Sequence, residues 1–522
     1  MKFNRKTSET TTNHMGAKAF TLSPEMELYT AAVTSFVDNT YYEKVNDRLN
    51  RIRECIRKVD PEFVARLAVY AREQMNLRAM PLVLVVELAR VHRGDDLVSR
   101  TIQRVVQRAD EMAEVLAYFQ AAESRSGTKK LNRLPKQIQK GLAAALNKFD
   151  EYQFAKYDRA GAVRLRDVLF IAHPKAKDEV QQALFDKIAS ETLAVPFTWE
   201  TEISALGQRQ FGSEGERAAA LAQAWEDLVT SGKMGYMATL RNLRNIILKG
   251  SDHALDRAID YIIDRKAVRK SKQLPFRFLS AYEEVSKVAK EEGATKAVQA
   301  KVARVEAAIA TALEISTDNI PHIQGRTLVL TDNSGSMRGD YGGKSAVSAM
   351  SKRSSADIAN LFSVLFWTRM PETQIGLFGD RLLTPALSRK ASIFENFKTI
   401  DKTANGCGGA TERGIFNMFE KLVREKIMVD NIIIFSDCQI GTGCNWFDNE
   451  GNRGEAFDKL FNAYKAINPG VTTYSIDLRG YGNTMCSEGL ITLAGWSEKL
   501  FDLVAAYAQG VDAVEFIRKM DI

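Results

Sequence analysis

Five oxygen-bearing side chains stand where one small cation could be held. Asp332, Ser334 and Ser336 alternate in Thr331-Asp332-Asn333-Ser334-Gly335-Ser336-Met337, directly after the apolar run Leu328-Val329-Leu330. Thr411 closes a Gly-rich turn, and Asp437 follows a second apolar run, Ile432-Ile433-Ile434-Phe435. In an extended loop, alternate spacing puts three oxygens on one side. A hard divalent ion takes such ligands, with Mg²⁺ the natural choice and Mn²⁺ or Ca²⁺ also suited. With at most two carboxylates nearby, the ion stays under-neutralised and can accept an acidic group from a partner. Asp-Asn-Ser-Gly-Ser alone also suits a strand-to-helix turn with capping residues. The Thr and the second Asp in matching contexts favour the metal.

Strands must deliver these residues. Strand-like runs near Thr327–Thr331, Gln374–Phe378, Asn431–Phe435 and Thr472–Leu478 alternate with helical stretches near Ala346–Met370, Glu412–Lys426 and Glu455–Ile467. This alternation predicts a doubly wound α/β domain over residues 323–522, with ligands at the carboxyl ends of strands. Asp332 and Asp437 fall there. Residues 1–22 are polar and read as an extended lead-in. Residues 23–322 are helical almost throughout, with apolar positions such as Leu67, Tyr70, Leu82, Val85 and Val86 near the 3.6-residue period. Turn residues at Asp60-Pro61, Arg93-Gly94-Asp95-Asp96 and Lys249-Gly250-Ser251-Asp252 divide this region into an all-α body of degenerate helical repeats.

The charge is uneven. The chain of 522 residues has a net charge of +7. From Arg326 onward there are 22 Lys+Arg against 23 Asp+Glu, leaving 50 basic and 42 acidic residues, a net of +8, before it. The helical body therefore carries the excess, which suits a polyanion. Five scattered cysteines without a C-x-x-C pair read as reduced thiols. No apolar run is long enough to span a membrane and no signal-peptide hydrophobic region is present, so a cytoplasmic location is expected. There is no G-x-S-x-G, P-loop or H-E-x-x-H motif, and two-metal nuclease chemistry needs more carboxylates than this shell has. The chain is not expected to be an enzyme.

Asp332-Asn333-Ser334-Gly335-Ser336, Gly408-Gly409-Ala410-Thr411 and Phe435-Ser436-Asp437 together resemble a von Willebrand factor A domain and its metal-ion-dependent adhesion site. Ile375-Gly376-Leu377-Phe378-Gly379-Asp380 resembles the second strand of that fold. Ala410 before the Thr departs from the usual Gly-Gly-Thr. Upstream, Leu67-Ala68-Val69-Tyr70-Ala71-Arg72, Met237-Ala238-Thr239-Leu240-Arg241-Asn242-Leu243-Arg244-Asn245 and Leu274-Pro275-Phe276-Arg277-Phe278 resemble the helical-repeat (TROVE, HEAT-like) module of the Ro ribonucleoprotein autoantigen family. Thr12-Asn13-His14 with Gly16 and Ala17-Lys18-Ala19-Phe20 resembles the lead-in of its bacterial members. The resemblance implies a helical ring closed by the A domain. It also implies small noncoding Y-type RNA on the ring's outside, single-stranded ends of misfolded RNA in its hole, and a role in RNA quality control. An exoribonuclease such as polynucleotide phosphorylase, tethered through the RNA, is the expected protein partner, and a closed ring predicts a monomer.

Candidate RNA contacts follow. Between Ser124 and Phe149 lie seven basic residues and no acid: Arg125, Lys129, Lys130, Arg133, Lys136, Lys140 and Lys148. A helix from Pro135 puts Lys136 and Lys140 on one face, either along a phosphate backbone or simply in solvent. Lys156, Arg159, Arg164, Arg166, His173 and Lys175 resemble the segment through which the family contacts Y-type RNA, although Ala160-Gly161-Ala162 replaces bulkier residues. His173 before Pro174 also fits a helix-end cap. Arg241 and Arg244 share a helix side, to line the hole or to pair with carboxylates. Arg265, Lys266, Arg269, Lys270, Lys272 and Arg277 form a further cluster beside Leu-Pro-Phe-Arg-Phe, whose aromatics fit a core better than a stacking platform. The competing reading is an adhesion-type scaffold that captures an acidic protein partner at the metal, with the ring as architecture.

Overall fold

The computed structural model describes residues 9–35, 40–123, 134–158, 161–318, 320, 323–339, 346–347, 351–411, 413–442 and 456–522. Two compact units result: Met1–Pro81 together with Asn319–Asp521, and Leu82–Asp318. The fold is the expected combination of helical repeats and an α/β domain. The first 81 residues, however, cluster with the sheet rather than with the helical body.

Among its described residues the first unit has nine strands: β1 (Thr10–Thr12), β2 (Lys18–Thr21), β3 (Thr327–Asp332), β4 (Thr373–Phe378), β5 (Leu382–Leu383), β6 (Asn431–Ser436), β7 (Thr472–Asp477), β8 (Asn483–Thr484) and β9 (Leu490–Ala494). Six make the main sheet in the order β5-β4-β3-β6-β7-β9. All neighbours are parallel except the short edge strand β5. β3 and β6 are buried along their whole length, as near-continuous Val, Ile and Leu runs require when helices cover both faces. One layer includes the helix Ser355–Arg369, whose Phe362 and Phe366 meet Phe435 of β6 and Phe501. That helix was expected from Ala346. It starts at Ser355 because Ser354 and Asp357 form a reciprocal capping box. On the other face, Phe416 and Phe419 pack on Phe457, Phe461 and Tyr464.

The lead-in is more structured than its polar composition predicts. β1 and β2 form a hairpin, and β2 pairs with β8, so Phe20 lies opposite Thr484. The helix Pro24–Val33 then docks on the main sheet: the Tyr29 hydroxyl donates to the Ala494 carbonyl and accepts from the Ala494 N–H, both at 3.1 Å. Tyr70, in the helix Pro61–Glu73, meets Phe516.

The second unit is helical throughout its described residues. Most of its helices bury one stripe, as amphipathic repeats do, although Trp199–Gln208 buries no residue fully. Pro275–Val288 buries Phe276, Phe278, Leu279, Val285 and Val288 and packs on Lys296–Ser316, so the Leu-Pro-Phe-Arg-Phe aromatics are core. Gly141 lets Lys136–Ala145 approach Leu97–Val105 closely: a Cβ there would lie 2.7 Å from Ile102 Cβ.

Candidate metal centre and candidate RNA surface

β3 and β6 are adjacent and parallel, and β4 lies on the other side of β3. The connections leaving β3 and β6 therefore diverge at their carboxyl ends, the topological switch point where doubly wound sheets hold ligands. Asp332 ends β3, and Asp437 comes one residue after β6. All five expected ligands converge on this end and are at most 4% exposed.

Local bonding explains their aim. The Ser334 N–H donates to Asp332 Oδ1 at 2.9 Å, and the Ser436 hydroxyl donates to Asp332 Oδ2 at 2.7 Å. Asn333 turns away and pairs with Asn360 in the covering helix. Ser334 and Ser336 are left with their hydroxyls 3.2 Å apart. The Gly335 N–H donates to the Gly409 carbonyl at 2.7 Å, docking the Gly-rich turn on this loop. Gly408, at φ +87°, lies against Asp380, where a Cβ would collide with the carboxylate. Ala410 is accommodated without removing Thr411 from the cluster. The Thr411 hydroxyl donates to the Gln439 carbonyl at 2.9 Å and accepts from the Gly441 N–H at 3.0 Å. Only one lone pair of Thr411 remains, which makes it the weakest donor of the five.

Electrostatics fit a cation. Asp437 Oδ1 accepts from the Gln439 N–H at 3.0 Å, but Oδ2 is buried with no hydrogen-bond partner among the described residues. Burial first, then the charge of Asp437, pushes the Asp332 carboxyl up to about 7. Burial likewise raises Asp437. Two buried, mutually repelling carboxylates beside two hydroxyls favour a cation, and the buried Arg479 guanidinium offsets only part of the Asp437 shift. Asp332, Ser334, Ser336 and Asp437, with Thr411 behind them, are the side chains that would hold a divalent ion.

Sequence reasoning missed the surroundings of this cluster. Asp477, at the end of β7, is a third buried carboxylate, pushed up to about 7 mainly by burial. Its position at the end of a predicted strand repeats that of Asp332 and could have signalled it, although Thr472-Thr473-Tyr474-Ser475-Ile476 is not an apolar run. The lead-in reaches the same place. The His14 N–H donates to Gln439 Oε1 at 2.8 Å, and Asn13 Nδ2 donates to the Ile440 carbonyl at 2.7 Å. The His14 ring stacks on Tyr42 with centroids 4.9 Å apart, and both meet Tyr481 edge-on. Tyr42 interacts with the Ser336 hydroxyl. The N-terminal residues thus roof the cluster from within the same unit. Arg48, buried behind them, donates from Nε to Glu43 at 2.7 Å and from Nη2 to the Arg479 carbonyl at 2.5 Å.

In the helical unit, several expected RNA contacts come together. Lys136 and Lys140 are exposed on Lys136–Ala145, which packs on Leu165–Ala172; Gln139 Nε2 donates to the Ile171 carbonyl at 2.8 Å. Arg166 is exposed on the latter helix. His173 is its C-cap, in the left-handed region at φ 48°, yet its side chain is exposed. The cap geometry therefore leaves the imidazole available to a ligand. Lys175 is exposed, and its carbonyl accepts from Asn147 Nδ2 at 3.0 Å. Lys156 lies over the rings of Tyr152 and Tyr157, and burial lowers its pKa.

Other expected contacts are diverted. Arg164 pairs with Glu191 at 2.6 Å and caps its helix. Arg244 pairs with Glu291 at 2.6 Å, whereas Arg241 on the same helix is exposed. Both belong to Tyr236–Lys249, apart in sequence from the first cluster. Arg265 and Arg269 both pair with Asp318. Arg159, Arg125, Lys129, Lys130 and Arg133 lie outside the described residues. The four described cysteines, Cys55, Cys407, Cys438 and Cys486, are free and buried, and Cys444 lies outside the described residues. Among the described residues no helix is long and apolar enough to cross a membrane.

The fold thus combines a helical-repeat body with a doubly wound α/β domain that carries a buried carboxylate–hydroxyl cluster. The TROVE domain model matches residues 6–220 and 192–320, more than half of the chain, which therefore belongs to the TROVE family. Two relatives are telomerase protein component 1 of Rattus norvegicus, 22% identical over 46% of this chain, and of Mus musculus, 24% identical over 51%. The matched stretches span only 12% and 13% of those relatives' own lengths. The crystal structure of the Ro (RSR) protein of Deinococcus radiodurans superimposes with a TM-score of 0.58 at 16% identity, covering 94% of this chain and all of that one. That likeness is one of fold.

Proposed function

We propose that the protein holds a small, structured noncoding RNA of the Y type on the outside of its helical body and acts in RNA quality control. The observation carrying this reading is the set of exposed Lys136, Lys140, Arg166, His173 and Lys175 side chains on the packed helices Lys136–Ala145 and Leu165–Ala172 and their ends. Point charges from Lys and a forked donor from Arg suit a phosphate backbone, and an exposed imidazole suits phosphate or base. Capture of single-stranded ends of misfolded RNA in a central hole, a tethered exoribonuclease, a monomeric state and a cytoplasmic location extend the same reading and are supported by the family resemblance. Mg²⁺ at Asp332, Ser334, Ser336, Thr411 and Asp437 is the accompanying proposal. Bound there, it would neutralise the buried carboxylate pair.

The test is to purify the protein from its own cells at mild salt and sequence the RNA that accompanies it. A discrete structured RNA, lost on changing Lys136, Lys140 and His173 to Ala, is the expected result. Background fragments unaffected by those changes would overturn it. The adhesion-type reading is less favoured, because the five ligand side chains are buried and Tyr42 already contacts Ser336.

A further inference from the structure

The helix Leu165–Ala172 turns Leu165, Val168, Leu169 and Ala172 inward. Arg166, Phe170 and His173, spaced by four and three residues, form the opposite line. Phe170 is 52% exposed, and no other Phe among the described residues is left so open. The Arg166 guanidinium lies 5.6 Å from its ring centroid and is steadied by Glu191 at 3.7 Å. A single exposed apolar side chain is ordinary on a protein surface, so the neighbours of the ring decide what it can bind. Polar and basic groups stand around it: Arg166, paired with Glu191, the His173 imidazole one turn on, and Lys136 and Lys140 exposed on the adjoining helix. An apolar protein partner would want apolar neighbours. An unpaired base wants an aromatic face with phosphate-binding cations around it.

We propose that Phe170 is a stacking platform for an unpaired base of the bound RNA, with Arg166 extending the platform and the lysines holding the flanking phosphates. This rests on the RNA-binding reading above and adds to it a requirement for a single-stranded or bulged nucleotide at this point.

The test uses the full chain and a single-stranded RNA probe carrying one 2-aminopurine, with affinity read by anisotropy across a salt series. Phe170→Ala and Phe170→Leu should each weaken binding about 5- to 150-fold without changing the salt dependence, because a stack carries no counterion release. Phe170→Trp should retain affinity and quench the 2-aminopurine. Exposure of the side chain predicts unchanged thermal midpoints for all three. If Phe170→Ala binds as wild type while Lys136→Ala/Lys140→Ala weakens binding, the stacking proposal fails and the RNA reading survives. Retention of affinity by Phe170→Leu but not by Phe170→Ala would show a merely apolar contact, as for a protein partner, and overturn the proposal. No binding of the single-stranded probe by wild type overturns the stacking proposal, whereas the structured-RNA reading falls only if no discrete RNA accompanies the protein from its own cells.

Discussion

Replacing Asp437 by Asn separates the cost of the carboxylate pair from the gain on binding a cation. Asp332 is pushed up to about 7 from 3.8, with burial the largest cause and Asp437 the next. Three pKa units correspond to about 4 kcal/mol. The Asp437 charge accounts for the smaller share, about 1–2 kcal/mol. In chelator at pH 7.5, Asp437→Asn should therefore be more stable than wild type by about that amount, a rise in midpoint of a few degrees for a unit of this size. With Mg²⁺ at a hundred times its dissociation constant, wild type should gain about 2.7 kcal/mol. The variant, with one carboxylate removed from the shell, should gain almost nothing. The order of stability then inverts between chelator and Mg²⁺. The assay is a thermal melt of chelator-treated protein over an MgCl₂ series at constant ionic strength, with Ca²⁺ and Mn²⁺ in parallel. A wild-type midpoint indifferent to all three ions, tracking the variant throughout, would refute the metal assignment.

Changing Lys136 and Lys140 to Ala should weaken RNA binding for every sequence tested and make the slope of log K against log salt shallower by about 1.4–1.8, the value for two phosphate contacts; an unchanged slope would remove them from the interface. Glu498 is buried and pushed up to about 7, chiefly by that burial. Its folded value exceeds its unfolded one, so its contribution is fully present below pH 4.5 and is lost as pH rises towards 7. Glu498→Gln should flatten that limb and stabilise the protein by up to about 3 kcal/mol at pH 8, as denaturant melts at pH 4 and pH 8 would reveal. Gly141→Val drives a side chain into Ile102 and should destabilise the helical unit by about 1–3 kcal/mol; an unchanged urea midpoint would show that the two helices can part.

The candidate metal centre was legible because its information is local. Val329-Leu330-Thr331-Asp332 and Ile434-Phe435-Ser436-Asp437 each state in a few residues that a buried strand ends in a carboxylate. That these strands share one parallel sheet follows from the alternation with helices, whereas their order in it does not. Edge strands were harder. β5 has two residues, and β9 is a five-residue run between Gly489 and Gly495 with too little periodicity to register. The roof of His14, Tyr42 and Tyr481 was not legible, because its partners lie more than 400 residues apart and nothing in a polar, Thr-rich lead-in announces β-pairing. Ion pairs such as Arg164 with Glu191 and Arg244 with Glu291 depend on the same kind of distant placement. Phe170 could have been found: with Leu165, Val168, Leu169 and Ala172 on one helix face, its position falls outside the stripe.

The pairing of β2 with β8 and the docking of Tyr29 on Ala494 make the sheet unit discontinuous along the chain. This sets an order of assembly during synthesis. The contiguous residues 82–318 can fold as they emerge. The helix Pro61–Glu73 must wait for part of its cover, because Phe516 and Arg518, which meet Tyr70 and Phe63, are encoded after residue 319. At ribosomal rates of about 5–20 residues per second, the remaining two hundred or so residues take about 10–40 s to be made. For that interval the helix Pro61–Glu73 presents its apolar side without its final cover. A nascent chain stalled near residue 320 should therefore protect the helical unit from protease while its N-terminal segment is cut.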